Sequence, residues 1–294
     1  MTALLELENA RIDRDGVPAL EGLSFAATGA RVGLVGDFGA LFALLAGRAT
    51  LVSGRASVLG LDAVSAALSG AVGLAARELR LPESWDVDRY LIEAARLGGA
   101  GARAARDAVR AVLASLDLGH LGGRRIGTLT MAERRGVALA LAMLDDPKLL
   151  AVEDPVSDLD ERGTLQVCAS VERAAAGRTL VVSTRVAPRA GPEHALFAAA
   201  DEVVVLEAGA LVAQGPLSTL SAPGLRYLVA VTRHARALSE QLEAAGLSVA
   251  LARSSELGEG ARFVVGVPEA GSTAAILDAA LAVQAPIVEL VPLT

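Results

Sequence analysis

The pattern of hydrophobic and polar positions changes its period several times along the chain. Residues 3–8 alternate as a half-buried strand does, and the apolar run Val32–Val35 is followed by Gly36 and then by the helical run Leu41–Ala46. A strand, a glycine-containing turn and a helix in this order are the usual entrance to a domain built on a parallel sheet. The start of the chain therefore predicts an α/β domain.

A long helical stretch and a second set of strands follow. From Leu81 to Leu144 the period becomes helical, with apolar residues three and four positions apart over Arg103–Leu116 and an alanine-rich run over Ala132–Leu144. A further helix is predicted over about residues 160–176. Short apolar runs predict strands at Leu23–Phe25, Leu149–Val152, Leu180–Ser183 and Val203–Leu206. Because strands and helices alternate, the sheet is expected to be parallel and covered on both faces.

The stretch Ser221-Ala222-Pro223-Gly224 is rich in turn-forming residues and predicts a linker. It divides the chain into a first unit, residues 1–222, with a helical subdomain at about residues 81–144, and a second unit, residues 225–294. The second unit is predicted to contain a strand, a helix, two strands, a helix and a strand, at Tyr227–Val231, Ala235–Ala245, Ser248–Ala252, Arg262–Val267, Ser272–Val283 and Ile287–Val291. This βαββαβ order predicts a small α+β ferredoxin-like domain.

Composition excludes several classes of function. The chain has 294 residues, of which 34 are acidic and 27 basic, and its formal net charge of −7 argues against a nucleic-acid partner. Its 53% apolar residues argue against disorder. The single cysteine, Cys168, rules out an intramolecular disulfide and a multi-thiolate metal site. The histidines, His120, His194 and His234, show no metal-ligand spacing, so no metal site is predicted.

A mean hydropathy of +0.47 raises the question of a membrane span. The longest unbroken apolar stretches, such as Val137–Leu144, fall well short of the ~18–20 residues that a span needs. The segment Met1–Asn9 carries acidic residues and no basic leader, so it is not expected to be a signal peptide. The chain is expected to be cytoplasmic, or attached to a membrane only through another protein.

A series of short segments occurs in a fixed order over residues 4–220. They are Gly-Leu-Val-Gly (33–36), Leu-Leu-Ala-Gly (44–47), Ser-Gly-Arg-Ala-Ser-Val-Leu-Gly (53–60), Leu-Pro-Glu-Ser (81–84), Ile-Gly-Thr-Leu (126–129), Arg-Arg-Gly-Val-Ala-Leu-Ala (134–140), Asp-Pro-Lys-Leu-Leu (146–150), Asp-Leu-Asp (158–160), Gly-Arg-Thr-Leu-Val-Val-Ser-Thr (177–184) and Asp-Glu-Val-Val-Val-Leu (201–206). With these segments the chain resembles the ATP-binding subunits, or nucleotide-binding domains, of ABC exporters with separately encoded permeases. The resemblance implies an α/β ABC-type P-loop NTPase fold with a helical subdomain. The C-terminal unit resembles the small accessory domain often appended to such subunits.

The phosphate-binding loop departs from the pattern of that family. In the family this loop reads G-x-x-x-x-G-K-[ST]. Its backbone amides cradle the phosphates, its lysine reaches the outer phosphates, and its serine or threonine hydroxyl ligates Mg²⁺. Here the vestigial residues Gly36, Asp37 and Gly39 run straight into a helix, the Gly-Lys-Ser-Thr segment is missing, and Asp37 stands where phosphates would lie. The only lysine, Lys148, precedes the strand Leu149–Val152. An ordinary tight turn is predicted, with an unusual phosphate loop as the alternative.

Other family positions have changed as well. The Q-loop glutamine, which senses Mg²⁺ and the permease, aligns with Arg77, and the switch histidine aligns with Arg185. The Walker B pair, usually Asp then Glu, reads Glu153 then Asp154, so the position of the water-activating base is shorter by one methylene. The signature segment, usually L-S-G-G-Q, reads Leu129, Thr130, Met131, Ala132, Glu133, and the better preserved D-loop reads Ser157, Asp158, Leu159, Asp160.

These changes predict a chain without catalytic residues, in which Glu153, Asp154 and Arg185 are vestigial. Phosphoryl transfer depends on positioning and charge stabilisation, and the loss of one electrostatic contact costs about 2.7–4 kcal/mol of barrier. Negligible ATP hydrolysis is therefore expected, together with no nucleotide or metal cofactor. ATP and Mg²⁺ are expected as cofactors only under the alternative hypothesis, in which the chain is an active ATPase with an aberrant site.

The resemblance also implies partners. In the family two such domains meet head to tail, and each composite site pairs the Walker motifs of one subunit with the signature of the other. The leading hypothesis is a non-catalytic (pseudo-ATPase) subunit that docks on the permease subunits of an ABC exporter, peripheral on the inner face of the cell membrane. It would form a heterodimer with an active ATPase paralogue, or a homodimer. A soluble regulatory protein is the remaining alternative. Trp85 and Tyr90 are interpreted as core aromatics, with permease contacts as the alternative.

Overall fold

The computed structural model describes residues 3–188, 190–217, 224–254, 260–268 and 273–293. In these ranges the strands are β1 (Leu5–Arg14), β2 (Val17–Ala27), β3 (Arg31–Val35), β4 (Thr50–Val58), β5 (Leu61–Asp62), β6 (Val72–Ala75), β7 (Leu149–Val152), β8 (Thr179–Thr184), β9 (Glu202–Glu207), β10 (Ala210–Gly215), β11 (Gly224–Val231), β12 (Ser248–Ser254), β13 (Ala261–Pro268) and β14 (Ile287–Leu293). The α-helices are α1 (Gly39–Leu45), α2 (Ala63–Leu68), α3 (Val87–Leu97), α4 (Ala102–Ser115), α5 (Met131–Ala142), α6 (Glu161–Ala175), α7 (Gly191–Ala198), α8 (Ala235–Ala244) and α9 (Ala274–Ala282).

A six-stranded sheet in the order β10-β9-β3-β8-β7-β6 forms the centre of the first unit. Its strands from β9 to β6 are parallel, whereas β10 runs antiparallel to β9. All four residues of β7, Leu-Leu-Ala-Val, are buried, because a parallel strand is covered on both faces. Leu34 and Ala151 contribute to one core, and Val35 and Val152 contribute to another. The predicted parallel arrangement is therefore found, with apolar layers on both sides.

An antiparallel four-stranded sheet, in the order β2-β1-β4-β5, shares the core that contains Leu34 and Ala151 with α1. The sequence predicted only two short pieces of it, residues 3–8 and Leu23–Phe25. The observed strands are longer, and β4 was not predicted at all. Only Ala56 and Val58, at the end of β4, are buried in the core, and most of the preceding positions are exposed, so the first part of this strand is held mainly by its pairing with β1.

Helices α3, α4 and α5 follow β6 and precede β7, within the region predicted to be helical. Val109 of α4 is buried, and Asp107 on the opposite face makes exposed ion pairs with neighbouring arginines. Trp85 and Tyr90 are partly buried against the same core. Among the helices that the structure describes, none combines the length and the apolar character needed to span a membrane.

The second unit contains a four-stranded antiparallel sheet in the order β12-β13-β11-β14, with α8 and α9 packed on one face. Its strands and helices follow one another in the predicted order. The other face packs on the first unit, where Leu228 and Val264 contact Ala210 of β10. The predicted helix start at Ser272 and residues 221–223 of the predicted linker lie outside the described residues.

Candidate functional site

The turn between β3 and α1 joins a central strand to a seven-residue helix. Gly36 has a φ of +116°, and a Cβ built on it would lie 2.2 Å from the Leu206 carbonyl oxygen, so only glycine fits there. Asp37 Oδ1 accepts a hydrogen bond from the Gly39 N–H at 3.1 Å, and the Phe38 side chain is buried in the core. The turn is therefore closed by its own carboxylate at the start of α1.

A small cleft lies beside this turn, where β3, β7 and β8 end. Its volume is about 40 Å³, and its lining consists of Gly36, Asp37, Phe38, Gly39, Arg77, Glu153, Asp154, Ser183, Thr184 and Arg185. A cavity of this size has room for only a few water molecules. The fold thus gathers the phosphate-loop, Q-loop, Walker B and switch positions in one place, with little free space among them.

Asp154 is the centre of an ion-pair network in this cleft. Its side chain is 8% exposed, and its Oδ2 lies 3.5 Å from Arg77 Nη1 and 3.7 Å from Arg185 Nε. Ser157 Oγ donates a hydrogen bond to the same oxygen at 3.0 Å. The second terminal nitrogen of Arg77 lies 3.0 Å from Asp158 Oδ2. Two guanidinium groups and a hydroxyl therefore surround the carboxylate at the position of the water-activating base.

The neighbouring carboxylate, Glu153, is engaged as well. Its Oε2 accepts a hydrogen bond from the backbone N–H of Arg77 at 3.1 Å. The Asp154 N–H donates to the side-chain oxygen of Ser183 at 3.1 Å. A metal ion in this cleft would compete with the two guanidinium groups for the Asp154 carboxylate. A triphosphate would compete with the Asp37 carboxylate for the first amide of α1. The residues of the cleft therefore do not fit a nucleotide held in the usual phosphate loop.

The single lysine of the chain lies at the other end of β7. Lys148 immediately precedes this strand, whereas Glu153 and Asp154 immediately follow it. Lys148 lines an open surface depression together with Asp146 and Arg178. Lys148 therefore lies at the opposite end of the parallel strands from the cleft and cannot replace the lysine of a phosphate loop.

The signature positions form the N-terminus of α5. Thr130 is the N-cap: its Oγ1 accepts a hydrogen bond from the Glu133 N–H at 3.2 Å, and Glu133 Oε2 accepts one from the Thr130 N–H at 2.8 Å. The Arg124 guanidinium also contacts the Glu133 carboxylate. Burial acts to raise the pKa of Glu133, but the hydrogen bond from the Thr130 backbone and the contact with Arg124 outweigh it and lower the pKa.

An open groove of about 490 Å³ lies between the start of α5 and the D-loop. One wall is formed by Thr130–Glu133, and the other by Asp158–Asp160 with Arg162, Gly163 and Gln166 of α6. Of the remaining signature and D-loop positions, Leu129 is buried in the core, and Ser157 is bonded to Asp154. The two motifs therefore face each other across one groove, which we call the α5–D-loop groove.

Two residues of the site were not singled out in the sequence. Arg135 of α5 donates a hydrogen bond to the Arg77 carbonyl oxygen, and burial and the nearby charge of Arg77 lower its pKa. Ser183 holds the Asp154 backbone. No separate signal in the sequence marked Arg135, which follows the charged residues Glu133 and Arg134; for Ser183 the available signal was a polar residue at the end of an apolar strand.

Glu193, on α7, gives a prediction about pH dependence. Burial is the main cause that raises the pKa of its carboxyl, and the charge of Asp154 adds to the effect against a hydrogen bond from Thr184. A carboxyl whose pKa rises on folding destabilises the protein when ionised; the penalty is complete above the folded pKa and vanishes below the unfolded one. Glu193→Gln is therefore expected to raise the thermal midpoint at neutral pH, with a gain that shrinks in acid. Scanning calorimetry at several pH values checks this, and an equal gain at every pH would contradict it.

Comparison with known proteins identifies the family. The chain is 30% identical over 241 residues to the nickel import ATP-binding protein NikO of Rhodobacter capsulatus, which covers 76% of this chain and 92% of that protein. It is 30% identical over 217 residues to the daunorubicin resistance ATP-binding protein DrrA3 of Streptomyces coeruleorubidus, over 69% of this chain and 65% of that protein. It spans 19–57% of the length of further curated relatives. A solved structure, cbiO1 of Clostridium perfringens, part of the ABC transporter complex cbiONQ, matches with a TM-score of 0.61 at 19% identity, over 75% of this chain and 91% of that one. No known family profile matches the chain.

The chain therefore belongs to the ATP-binding subunits of ABC transporters. The likeness to cbiO1 confirms the ABC-type P-loop NTPase fold. One expectation is corrected: a chain without a nucleotide cofactor is wrong for this family, because its relatives are named ATP-binding proteins. The expectation rested on the missing Gly-Lys-Ser-Thr segment and on the changed motif positions of this chain alone.

Proposed function

We propose that this chain is a subunit of an ABC transporter complex that docks on membrane permease subunits at the cytoplasmic face of the membrane and does not hydrolyse ATP with its own residues. The observation that carries the proposal is the ion pairing of Asp154 with Arg77 and Arg185. A general base must lie within about 2.6–3.2 Å of the proton that it removes, directly or through one water. Asp154 Oδ2 is already engaged by both arginines and by the Ser157 hydroxyl, so this oxygen is not available to activate water.

The turn after β3 supports the same conclusion. Phosphoryl transfer needs donors that cradle the phosphates and cations that neutralise the developing charge. The turn instead offers Asp37, whose carboxylate already accepts the Gly39 N–H. Because the loss of one electrostatic contact costs about 2.7–4 kcal/mol of barrier, the combined loss of loop, lysine and switch histidine is expected to suppress turnover completely.

The proposal places ATP with Mg²⁺ on a competent ATPase partner, with this chain contributing the α5–D-loop groove to the shared site. Thr130 Oγ1 accepts a hydrogen bond from the Glu133 N–H, and the Thr130 hydroxyl also bonds the Glu133 carboxylate, so a phosphate oxygen would have to take the hydroxyl proton from that carboxylate. Met131 and Ala132 occupy positions where the family has glycine, so the backbone approach is less close. Because a second copy of this chain would bring the same closed turn, the favoured partner is a paralogue with an intact phosphate loop.

The division into residues 1–222 and 225–294 is part of the same proposal, and the second unit is assigned to the ferredoxin-like arrangement. Its βαββαβ order and its strand order β12-β13-β11-β14 support this assignment. Within the described residues no group of side chains has the makeup of a metal site, so a packing or pairing role is proposed for this unit. The exporter type stays a prediction from the sequence, because the relatives at 30% identity include both a nickel import protein and a drug resistance protein.

Phosphate release by the purified chain in Mg-ATP tests the absence of hydrolysis. The chain, its Asp154→Asn variant and its Asp107→Asn variant are expected to give the same background rate. Asp107 lies on the exposed face of α4, away from the cleft, so its variant controls for contaminating ATPases. Magnesium-dependent turnover that survives Asp107→Asn but is abolished by Asp154→Asn would overturn the proposal in favour of an active enzyme.

Purification of the tagged chain from membranes of its native host tests the transporter assignment. Integral permease subunits and a second ATP-binding subunit are expected to co-purify with it. A chain recovered entirely from the soluble fraction and without partners would instead support the regulatory alternative.

A further inference from the structure

The two walls of the α5–D-loop groove come from different parts of the chain. One is the start of α5, Thr130–Glu133, and the other runs from Asp158 to Gln166. The rest of α5 and the strand β7 lie between them in the sequence. A partner that binds both walls at once binds more weakly when only a fraction of the molecules has the right wall separation. A contact that fixes this separation would therefore matter for pairing.

Arg77 provides such a contact between the elements that carry the walls. Its carbonyl oxygen accepts a hydrogen bond from Arg135, which lies on α5. Its guanidinium lies 3.0 Å from the Asp158 carboxylate and 3.5 Å from that of Asp154. The backbone N–H of Arg77 donates a hydrogen bond to Glu153 Oε2 at 3.1 Å. One residue, placed just after β6, therefore joins α5 to the segment that follows β7.

The two carboxylates contribute unequally to this connection. The Asp158 side chain is 74% exposed, so its ion pair with Arg77 is screened by water and salt. The Asp154 and Arg77 side chains are 8% and 19% exposed, so their pair is largely desolvated and costly to break. Asp154 also accepts the hydrogen bond of Ser157, the residue next to the D-loop wall. The connection to that wall therefore runs mainly through Asp154.

We propose that Arg77 is a positioning residue that braces the two walls of the α5–D-loop groove and sets the spacing that a partner subunit meets. The brace consists of groups of this chain alone and forms without nucleotide. Only the identity of the partner rests on the proposed function.

The distance between two spin labels tests the brace in the full chain. Met131→Cys and Leu165→Cys place one label on α5 and one on α6, at side chains that are 50% and 52% exposed. Cys168 stays unlabelled, because it is buried and burial raises the pKa of its thiol to about 12. Pulsed dipolar spectroscopy is expected to give a narrow distance distribution for the labelled protein with Arg77 intact and a broad one when Arg77→Gln is added. Arg77→Lys is expected to give an intermediate distribution, because its ammonium group cannot bridge two carboxylates.

Hydrogen exchange gives a second readout on the same proteins. Arg77→Gln is expected to speed exchange about tenfold in residues 130–136 and 156–166, with α8 and α9 unchanged. Arg185→Gln is the matched control, because Arg185 pairs with the same Asp154 oxygen from the loop after β8. Arg185→Gln removes one positive charge from Asp154 but leaves the Arg77 side chain in contact with Asp154 and Asp158, so both readouts are expected to match those of the protein with Arg77 and Arg185 intact.

Unchanged distances and exchange in Arg77→Gln would overturn the brace, as would an equal change in Arg185→Gln, since charge alone would then explain the effect. If Arg77→Gln does not fold, Arg77→Lys decides, and a parental distance distribution in that variant overturns the brace. ATP turnover by the chain would overturn the proposed function and leave the brace standing, so the two failures are distinguishable.

Discussion

Phe38→Ala is expected to lower the free energy of unfolding by about 4 kcal/mol, from the usual cost of about 3–5 kcal/mol for removing a buried aromatic ring. The Phe38 side chain is 1% exposed, and its ring packs edge-on against that of Phe25 with 6.1 Å between the centroids. Such aromatic pairs add about 0.5–1.5 kcal/mol to the burial itself. The effect is large because Phe38 ties the turn after β3 to the core, at the place where the family has its phosphate loop.

Urea denaturation followed by circular dichroism measures this effect. Phe38→Leu serves as the matched control, since it keeps most of the buried volume and is expected to cost only about 1–1.5 kcal/mol. Alanine and leucine variants of equal stability would show that the ring does not anchor the turn.

Gly36→Ala is expected to destabilise the protein by a similar amount, through the backbone and not through a lost contact. The φ of +116° is strained for any residue with a side chain, and the new Cβ would lie 2.2 Å from the Leu206 carbonyl oxygen. Strain of this kind costs about 1–3 kcal/mol, and a forced shift of packed neighbours costs about 1–3 kcal/mol more. A total near 4 kcal/mol corresponds to a fall of roughly 8–16 °C in thermal midpoint.

Gly16→Ala separates the two causes. Gly16 also has a positive φ, +78°, but a Cβ built there meets nothing within 4 Å. Its replacement is expected to cost only the backbone strain, about 1 kcal/mol. Scanning calorimetry of the two variants should therefore show a much larger fall for Gly36→Ala. Equal falls would mean that the approach of Leu206 does not constrain the turn.

The buried strands of the central sheet were predictable because their signal is local. Val32–Val35 and Leu149–Val152 bury residues on both faces, so each forms a continuous apolar run. The strands β4, β5, β6 and β10 were missed: many side chains of β4 and β10 are half-buried or exposed, β5 has only two residues, and β6 is a mostly buried edge strand of only four residues. β4 is held by pairing with β1, which is distant in the sequence, and β10 is held by a hairpin with β9; hydrophobic periodicity reports neither pairing.

The candidate site was predictable as a set of positions but not as a set of contacts. Motif order placed Arg77, Asp154 and Arg185 together, but their ion pairing depends on side chains that meet only in the folded chain. The wrong expectation about the cofactor has a related cause. A motif missing from one chain was taken to mean a missing ligand, although a ligand shared between chains is held by groups from both.

The packing of the second unit on β10 has a consequence for handling the protein. β10 is the outermost strand of the central sheet, and such strands tend to recruit other chains into aggregates. Here the apolar Ala210 and Val212 are covered by Leu228 and Val264, and an ion pair between Arg226 and Glu207 flanks them. The C-terminal unit thus covers the edge strand of the first unit. A truncation that removes this unit would expose Ala210 and Val212 of β10 and is expected to promote aggregation.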